Sequence, residues 1–290
     1  MQHASISTSF AGQRKSSFQG GSLTDEEIMH RAPAVFAEAP HETRSARYAF
    51  IDTRALLAGL RKEGFEPVHA VQSRTRDETL TGFTKHMIRF RRAGTEITGP
   101  GQTVPEVVLI NSHGGQSSYH LMAGLFRVIC LNGLIAAAQE YASVRVPHSG
   151  NVADKVIEGA YTVLDESTRA LEAATTWQGI PLSHDEQLVL ARAAHTARFA
   201  DHDGKVLTPI EPEQLLKVRR REDNDTSLWT TFNRVQENVI RGGLVNFSHD
   251  DNGRSRRVSS RAVNGIDQNV GLNRAIWQLT EEMAKIKRAA

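Results

Sequence analysis

The chain has 290 residues with 35 Lys and Arg against 33 Asp and Glu, and this net charge of +2 excludes a uniformly basic coat; any nucleic-acid surface must come from local clustering. Its 39% apolar and 23% charged content is ordinary for a globular protein long enough to bury a core, as one large domain or two lobes. The single cysteine, Cys130, excludes an internal disulfide and suits a reducing cytoplasm, no apolar run approaches the ~18 residues of a membrane helix, and the N-terminus lacks the apolar core of a secretion signal.

Residues 1–22 are rich in Ser, Gln and Gly without periodicity, which predicts a mobile arm. Thr24-Asp25-Glu26-Glu27 reads as a helix start, with acids in the first turn and Pro33 as the stop. Residues 46–148 read as α+β. Tyr48–Asp52 is strand-like, Thr53–Lys62 is a short helix, and Gly64 suits its C-terminal stop. Pro67–Gln72, Phe83–Arg91 and Val107–Asn111 follow as strands. In the second of these, Phe83, Lys85, Met87, Arg89 and Arg91 alternate with Thr84, His86, Ile88, Phe90 and Arg92, and the mixture on each face predicts a sheet wet on one side. Turn-rich connections such as AGTEITGPGQT favour antiparallel pairing. The apolar run Tyr119–Ile129 is compatible with a strand or a helix; Gly124 and Asn132-Gly133 fit bends and a hairpin turn, which favours strand.

From Asn151 onward the pattern is helical. Val152, Val156, Ala160 and Val163 form one stripe, and Ser183 with Glu186 makes a capping box for a helix reaching about Ala200. Leu228, Phe232, Val235 and Val239 form another stripe ended by Gly242-Gly243, and Leu272, Ile276, Leu279, Met283 and Ile286 form a third. The expected fold is α+β, with a mainly antiparallel sheet in the N-terminal half packed with a helical C-terminal half. The expected divisions are the arm, a sheet region over 23–149 and a helical region over 150–290 that shares its core.

The stretch LINSHGGQSSYHLMAGLFRVICLNGL, from Leu109 to Leu134, joins an apolar run to an Asn-Ser-His-Gly-Gly turn and ends on Cys-x-Asn-Gly. Together with VPHSGNVADKVIEGAYTVL (Val146 to Leu164) and RRREDNDTSLWTTFNRVQENVIRGG (Arg219 to Gly243), it resembles a family of phage- and plasmid-borne proteins known as domain of unknown function 932. The resemblance runs from about Tyr48 to the C-terminal helix. It implies a mobile-element setting and brings no biochemical activity with it.

Basic clusters are the leading candidates for a ligand surface. Arg254, Arg256, Arg257 and Arg261 fall in DNGRSRRVSSR, which reads as a flexible loop whose guanidinium groups can meet phosphates; the plain alternative is a solvated connection. Lys85, Arg89, Arg91 and Arg92, interleaved with Phe83 and Phe90, form a second candidate, since alternating cations and aromatic rings can track a single strand; the plain alternative buries the rings. Arg219, Arg220 and Arg221 are followed by Glu222 and Asp223 and read as a charged helix face. Asn111, His113 and Arg127 are expected to organise the central turn, with Arg127 needing a carboxylate, carbonyl or phosphate partner inside its apolar run.

Catalytic signatures are sparse. His113, His120 and His148 are a metal or acid/base candidate without HExxH or paired cysteines in support. Asp201-His202-Asp203 suits a cation or an ordinary turn, His195 reads as a partly buried structural residue, and Cys130 reads as a packed thiol. No nucleophile elbow, Walker motif or dinucleotide fingerprint occurs, so no cofactor is expected.

The reading from sequence is a single-strand nucleic-acid-binding protein of mobile-element DNA metabolism, in recombination or strand annealing, located in the cytoplasm. Two alternatives stand beside it: a metal-dependent nuclease-like enzyme using His113, His120 and His148, and a counter-defence protein that binds a host factor. Trp277, flanking the last helical stripe, suggests a homo-oligomer with that ring as its anchor.

Overall fold

Elementary capping chemistry sets the first helices. In the computed structural model, which describes residues 21–44, 48, 50–96, 102–117, 119–127, 143–146, 152–249 and 253–289, Thr24 and Glu27 cap each other reciprocally and start α1 (Asp25–Arg31). A 3-10 turn at Pro33–Phe36 follows. Asp52 accepts the Arg54 N–H and opens α2 (Thr53–Lys62), and Gly64, at φ 77°, lets the chain turn straight into a strand. The strand expected over Tyr48–Asp52 is absent: among its described residues, Ile51 and Asp52 serve as an acceptor for Tyr119 and as the helix cap. The arm expected over residues 1–22 lies outside the described residues except for 21 and 22.

Five strands form one antiparallel sheet in chain order: β1 (Phe65–Gln72), β2 (His86–Arg92), β3 (Thr103–Asn111), β4 (Tyr119–Arg127) and β5 (Ser143–Val146). The α+β class and the strand at Tyr119 are therefore as the sequence predicts. Phe83 departs from expectation, because it closes a 3-10 turn (Glu78–Phe83) instead of opening β2. The Asn132-Gly133 turn lies outside the described residues.

One sheet face carries Ala70, Ile88, Phe90, Val107, Leu109, Leu121 and Ala123. It forms a core with Ile28 of α1, Leu56, Leu57 and Leu60 of α2, and Val156, Ala160 and Val163 of α3 (Val152–Gln178). Burying each of the Val, Leu, Ile and Phe side chains is worth roughly 1.5–3 kcal/mol. The opposite face is buried as well, against the expectation of a wet side: Met87, Val108, Ile110, Met122 and Phe126 are all inaccessible, with Arg89, Arg91 and Glu106 among them. In the middle of β4 a Cβ on Gly124 would sit 2.6 Å from the Phe126 ring, so only glycine leaves that ring its place.

The chain divides into two units, Met1–Ala170 and Leu171–Ala290, and the division falls within α3. In the second unit Ser183 and Glu186 box the start of α4 (His184–Phe199), as the sequence predicts. Helix α5 (Leu228–Arg241) is buried at every position from Leu228 to Ile240, not only along its apolar stripe. Its polar side chains are matched internally: Gln236 donates to Asn273, and Asn238 donates to the Leu215 and Lys217 carbonyls. Arg219 and Arg220, expected on a charged helix face, hold Asn238 and Glu237 of α5.

Helix α6 (Ile266–Ala289) buries Leu272, Ile276 and Met283 of its stripe, and its inward face is wider than the stripe. Asn273, Ile276, Trp277 and Thr280 are fully buried, whereas Ile286 is 62% exposed. Trp277 packs 4.5 Å from the Trp177 ring and donates to Glu281, so it cannot anchor a neighbouring subunit. Between α5 and α6 the chain forms a two-stranded antiparallel ribbon, β6 (Val245–His249) and β7 (Ser255–Ser259). Among the described residues no helix is long and apolar enough to cross a membrane.

Candidate nucleic-acid interface and central turn

The central turn hangs from the end of β3. Asn111 is its last residue, and Ser112, His113 and Gly114 continue from it, all inaccessible to solvent. Gly114 donates to the Phe83 carbonyl at 2.8 Å, and the His113 carbonyl receives the His41 N–H at 3.3 Å. Gly115 sits at φ 75°, with the Arg44 side chain over the space a Cβ would fill.

Four side chains converge here on one hydroxyl. Thr53 Oγ1 lies 3.0 Å from His113 Nε2, 3.0 Å from the Tyr119 hydroxyl, 3.2 Å from Asn111 Nδ2 and 3.4 Å from His86 Nε2. A threonine hydroxyl has one proton and two lone pairs, so the proton order follows from the partners. Tyr119 donates to the Ile51 carbonyl at 2.7 Å, and must therefore accept from Thr53. Asn111 donates to one Thr53 lone pair, and His113 Nε2–H donates to the other. His86 gives its Nδ1 proton to the Thr84 carbonyl at 3.2 Å, so its bare Nε2, at 3.4 Å, competes with Tyr119 for the single Thr53 proton.

Electrostatics agree with that order. Burial, then the neighbouring His113, push the His86 pKa down to about 3, so the ring is neutral at physiological pH. Burial raises the Tyr119 hydroxyl well above its ordinary range, so it remains a donor. The centre is a buried hydrogen-bonded network that pins strand ends to the start of α2. Asn111 and His113 both bond the Thr53 hydroxyl at this turn. The Arg127 backbone ends β4, and its side chain lies outside the described residues.

Among the described residues the candidate metal ligands are not brought together. His113 belongs to the face of Tyr119, whereas His120 is the next residue along β4 and points to the opposite face. His148, like Cys130, lies outside the described residues, and among those described no group of three or more His, Cys, Asp or Glu is placed to hold an ion. Asp201 accepts the backbone N–H groups of Asp203 and Lys205, which makes its segment an ordinary turn around Gly204. His195 is buried and bonds the Ile210 carbonyl at 2.6 Å.

The β2 cations separate into buried and exposed. Arg89 Nε lies 2.7 Å from Glu106 Oε2 and Arg91 Nη2 lies 2.5 Å from Oε1, with Arg89 at 5% and Arg91 at 7% exposure. Arg89 also covers the Phe126 ring at 3.2 Å. These two arginines are internal, so the expected tracking surface on β2 does not form. Lys85 is half-buried, and Arg92 is exposed but bonds the Glu63 carbonyl beside Phe65 and Tyr161. Phe90 is fully buried.

The ribbon is different. Arg254, Arg256, Arg257 and Arg261 are all exposed, and Arg256 and Arg257 lie on strand β7, not on the loop expected from sequence. Alternation puts Val245, Phe247 and His249 on one face, with Ser255, Arg257 and Ser259 opposite them. Phe247, which sequence reasoning missed, pairs directly with Arg257 and is 53% exposed. On the other face Asn246 donates to the Pro209 carbonyl and Val258 is half-buried, so that side rests on the protein. The signal was present in the sequence: VNFSH alternates, and Asn252-Gly253 is a hairpin dipeptide.

An antiparallel sheet with a buried central turn, followed by helices and a ribbon with exposed arginines, defines an α+β protein. The chain belongs to the family described as Domain of unknown function (DUF932), whose model matches residues 40–277. It is similar to two Escherichia coli (strain K12) proteins, UPF0380 protein YfjQ at 45% identity and UPF0380 protein YafZ at 46%. Each alignment covers 262 residues, 90% of this chain and 91% of the relative. No solved structure matches.

Proposed function

We propose that the protein binds single-stranded nucleic acid through the β6–β7 ribbon, in the recombination or strand-annealing metabolism of mobile elements. The observation that carries this reading is the contrast among its arginines. Arg89, Arg91, Arg219 and Arg220 have internal acceptors, whereas Arg256 and Arg257 make no ion pair among the described residues and face water. The segment 245–261 carries Arg254, Arg256, Arg257 and Arg261 against Asp250 and Asp251, an excess of positive charge on a chain of net charge +2. Guanidinium groups on a narrow ribbon suit bidentate contact with phosphates. The test is fluorescence anisotropy with labelled single-stranded DNA and RNA over a salt series. Binding is expected to fall with a log–log slope of about −0.7 per neutralised phosphate. Failure to bind either polymer at low salt overturns the reading.

A further inference from the structure

We propose that Phe247 is a stacking platform for an unpaired base, and that it makes the ribbon prefer single strands over duplex. This rests on the nucleic-acid reading above and deepens it, because the arginines alone would recognise any phosphate backbone.

The argument starts from placement. Phe247 is 53% exposed on the solvent-facing side of a ribbon whose other side is held by Asn246. An exposed apolar side chain is unremarkable by itself. This one stands directly across from Arg257 in the strand register, with Arg256 next along the chain. Cross-strand neighbours have Cβ atoms ~4.5–5.5 Å apart, so a base laid on the ring brings its own phosphate within reach of a flexible guanidinium. His249 follows on the same face and is also exposed, offering a second ring about 7 Å along the strand.

Strandedness follows from the chemistry of stacking. In a duplex both faces of each base are covered by its neighbours, and inserting a ring between them requires unstacking. In a single strand the face is open to any aromatic ring, whatever the base. The ring therefore discriminates by the availability of a base face, whereas the cations attract both forms.

The experiment compares the intact protein with Phe247→Ala, Phe247→Leu and Phe247→Tyr. Probes are a single-stranded oligonucleotide containing 2-aminopurine and the matching duplex. For the unchanged protein, binding with quenching of the 2-aminopurine is expected. Phe247→Ala and Phe247→Leu should each lose about 5- to 150-fold in single-strand affinity and the quenching, with duplex affinity and salt slope unchanged. Phe247→Tyr should retain both. If the unchanged protein binds and Phe247→Ala binds single strands equally well, or loses duplex affinity to the same degree, the stacking role is overturned while the charge reading stands. If the unchanged protein binds neither probe, the charge reading itself fails.

Discussion

Arg89 and Glu106 meet across β2 and β3 at 2.7 Å, both buried, with Arg91 closing on the other oxygen of the same carboxylate. Burial works against the charge on Arg89, and Glu106 opposes that effect by charge and by hydrogen bonding. Glu106→Gln leaves two buried guanidinium groups facing a neutral amide. Breaking a buried pair by removing one partner costs about 3–5 kcal/mol. The expected outcome is a large drop in the urea midpoint, and an unchanged midpoint would show that the cluster is solvated in solution.

Two of the buried histidines, His69 and His86, make the fold acid-labile. Burial pushes His86 down to about 3, and burial with the Arg89 and Arg31 charges lowers His69 well below its ordinary value. Each ring binds its proton more readily unfolded than folded. Their stabilising contribution is therefore complete above the unfolded value of ~6.5 and is lost as pH falls toward the depressed folded values. Stability is expected to fall by up to about 1.4 kcal/mol per pH unit for each histidine below pH ~6. Urea titrations at pH 7.5, 6 and 5 read this directly; equal midpoints would sink it.

Thr53 is the hub of the central turn, so its hydroxyl matters more than its methyl. Thr53→Val removes the hydroxyl that lies 3.0–3.2 Å from Asn111 Nδ2, His113 Nε2 and Tyr119 OH, although Tyr119 keeps the Ile51 carbonyl. A buried polar group left unsatisfied costs about 1–3 kcal/mol. Thr53→Ser keeps the hydroxyl and should unfold much closer to the unchanged protein. A valine variant as stable as the serine variant would remove the hub role.

Changing Arg254, Arg256 and Arg257 together to Ala should separate binding from folding. All three are exposed, and such substitutions usually move stability by within about 0.5 kcal/mol. Thermal melting is expected to be nearly unchanged, with nucleic-acid affinity reduced and the salt slope flattened by up to ~2. A large fall in melting temperature would mark the ribbon as a structural ion-pair network.

Much of the fold is legible in the sequence because local signals agree with it. The Thr24/Glu27 and Ser183/Glu186 boxes and the Thr53–Lys62 helix appear where their residues predict. The central turn is legible too, since Asn111 and His113 are polar residues at the end of an apolar strand. Its hub is not, because Thr53 looks like any residue at the start of a helix until the chain brings it to His113, 60 positions away. Arg89 and Arg91 mislead for the same reason: the carboxylate that buries them belongs to another strand. Phe247 was missed through its neighbours. The Arg-Ser-Arg-Arg run suggests a solvated loop, and only pairing with VNFSH makes it a strand. Trp277 shows the limit of counting stripes, since α6 also buries Asn273 and Thr280, polar residues that periodicity assigns outward.

A two-stranded ribbon has little to stabilise it beyond its own ladder. Here the anchorage is concentrated at one end, where Gln214 holds the Val245 carbonyl, Asn246 holds Pro209, and Gly243 and Leu244 bond Ser260. Among the described residues, the last ladder pair at the far end, His249 with Ser255, shows no such tie. Trypsin cleaves after arginine and needs a segment that can open locally, so the peptide bonds after Arg254, Arg256 and Arg257 should be among the first severed in the folded protein. A bound strand of nucleic acid would shield those bonds, which turns the rate of nicking into a label-free gauge of occupancy.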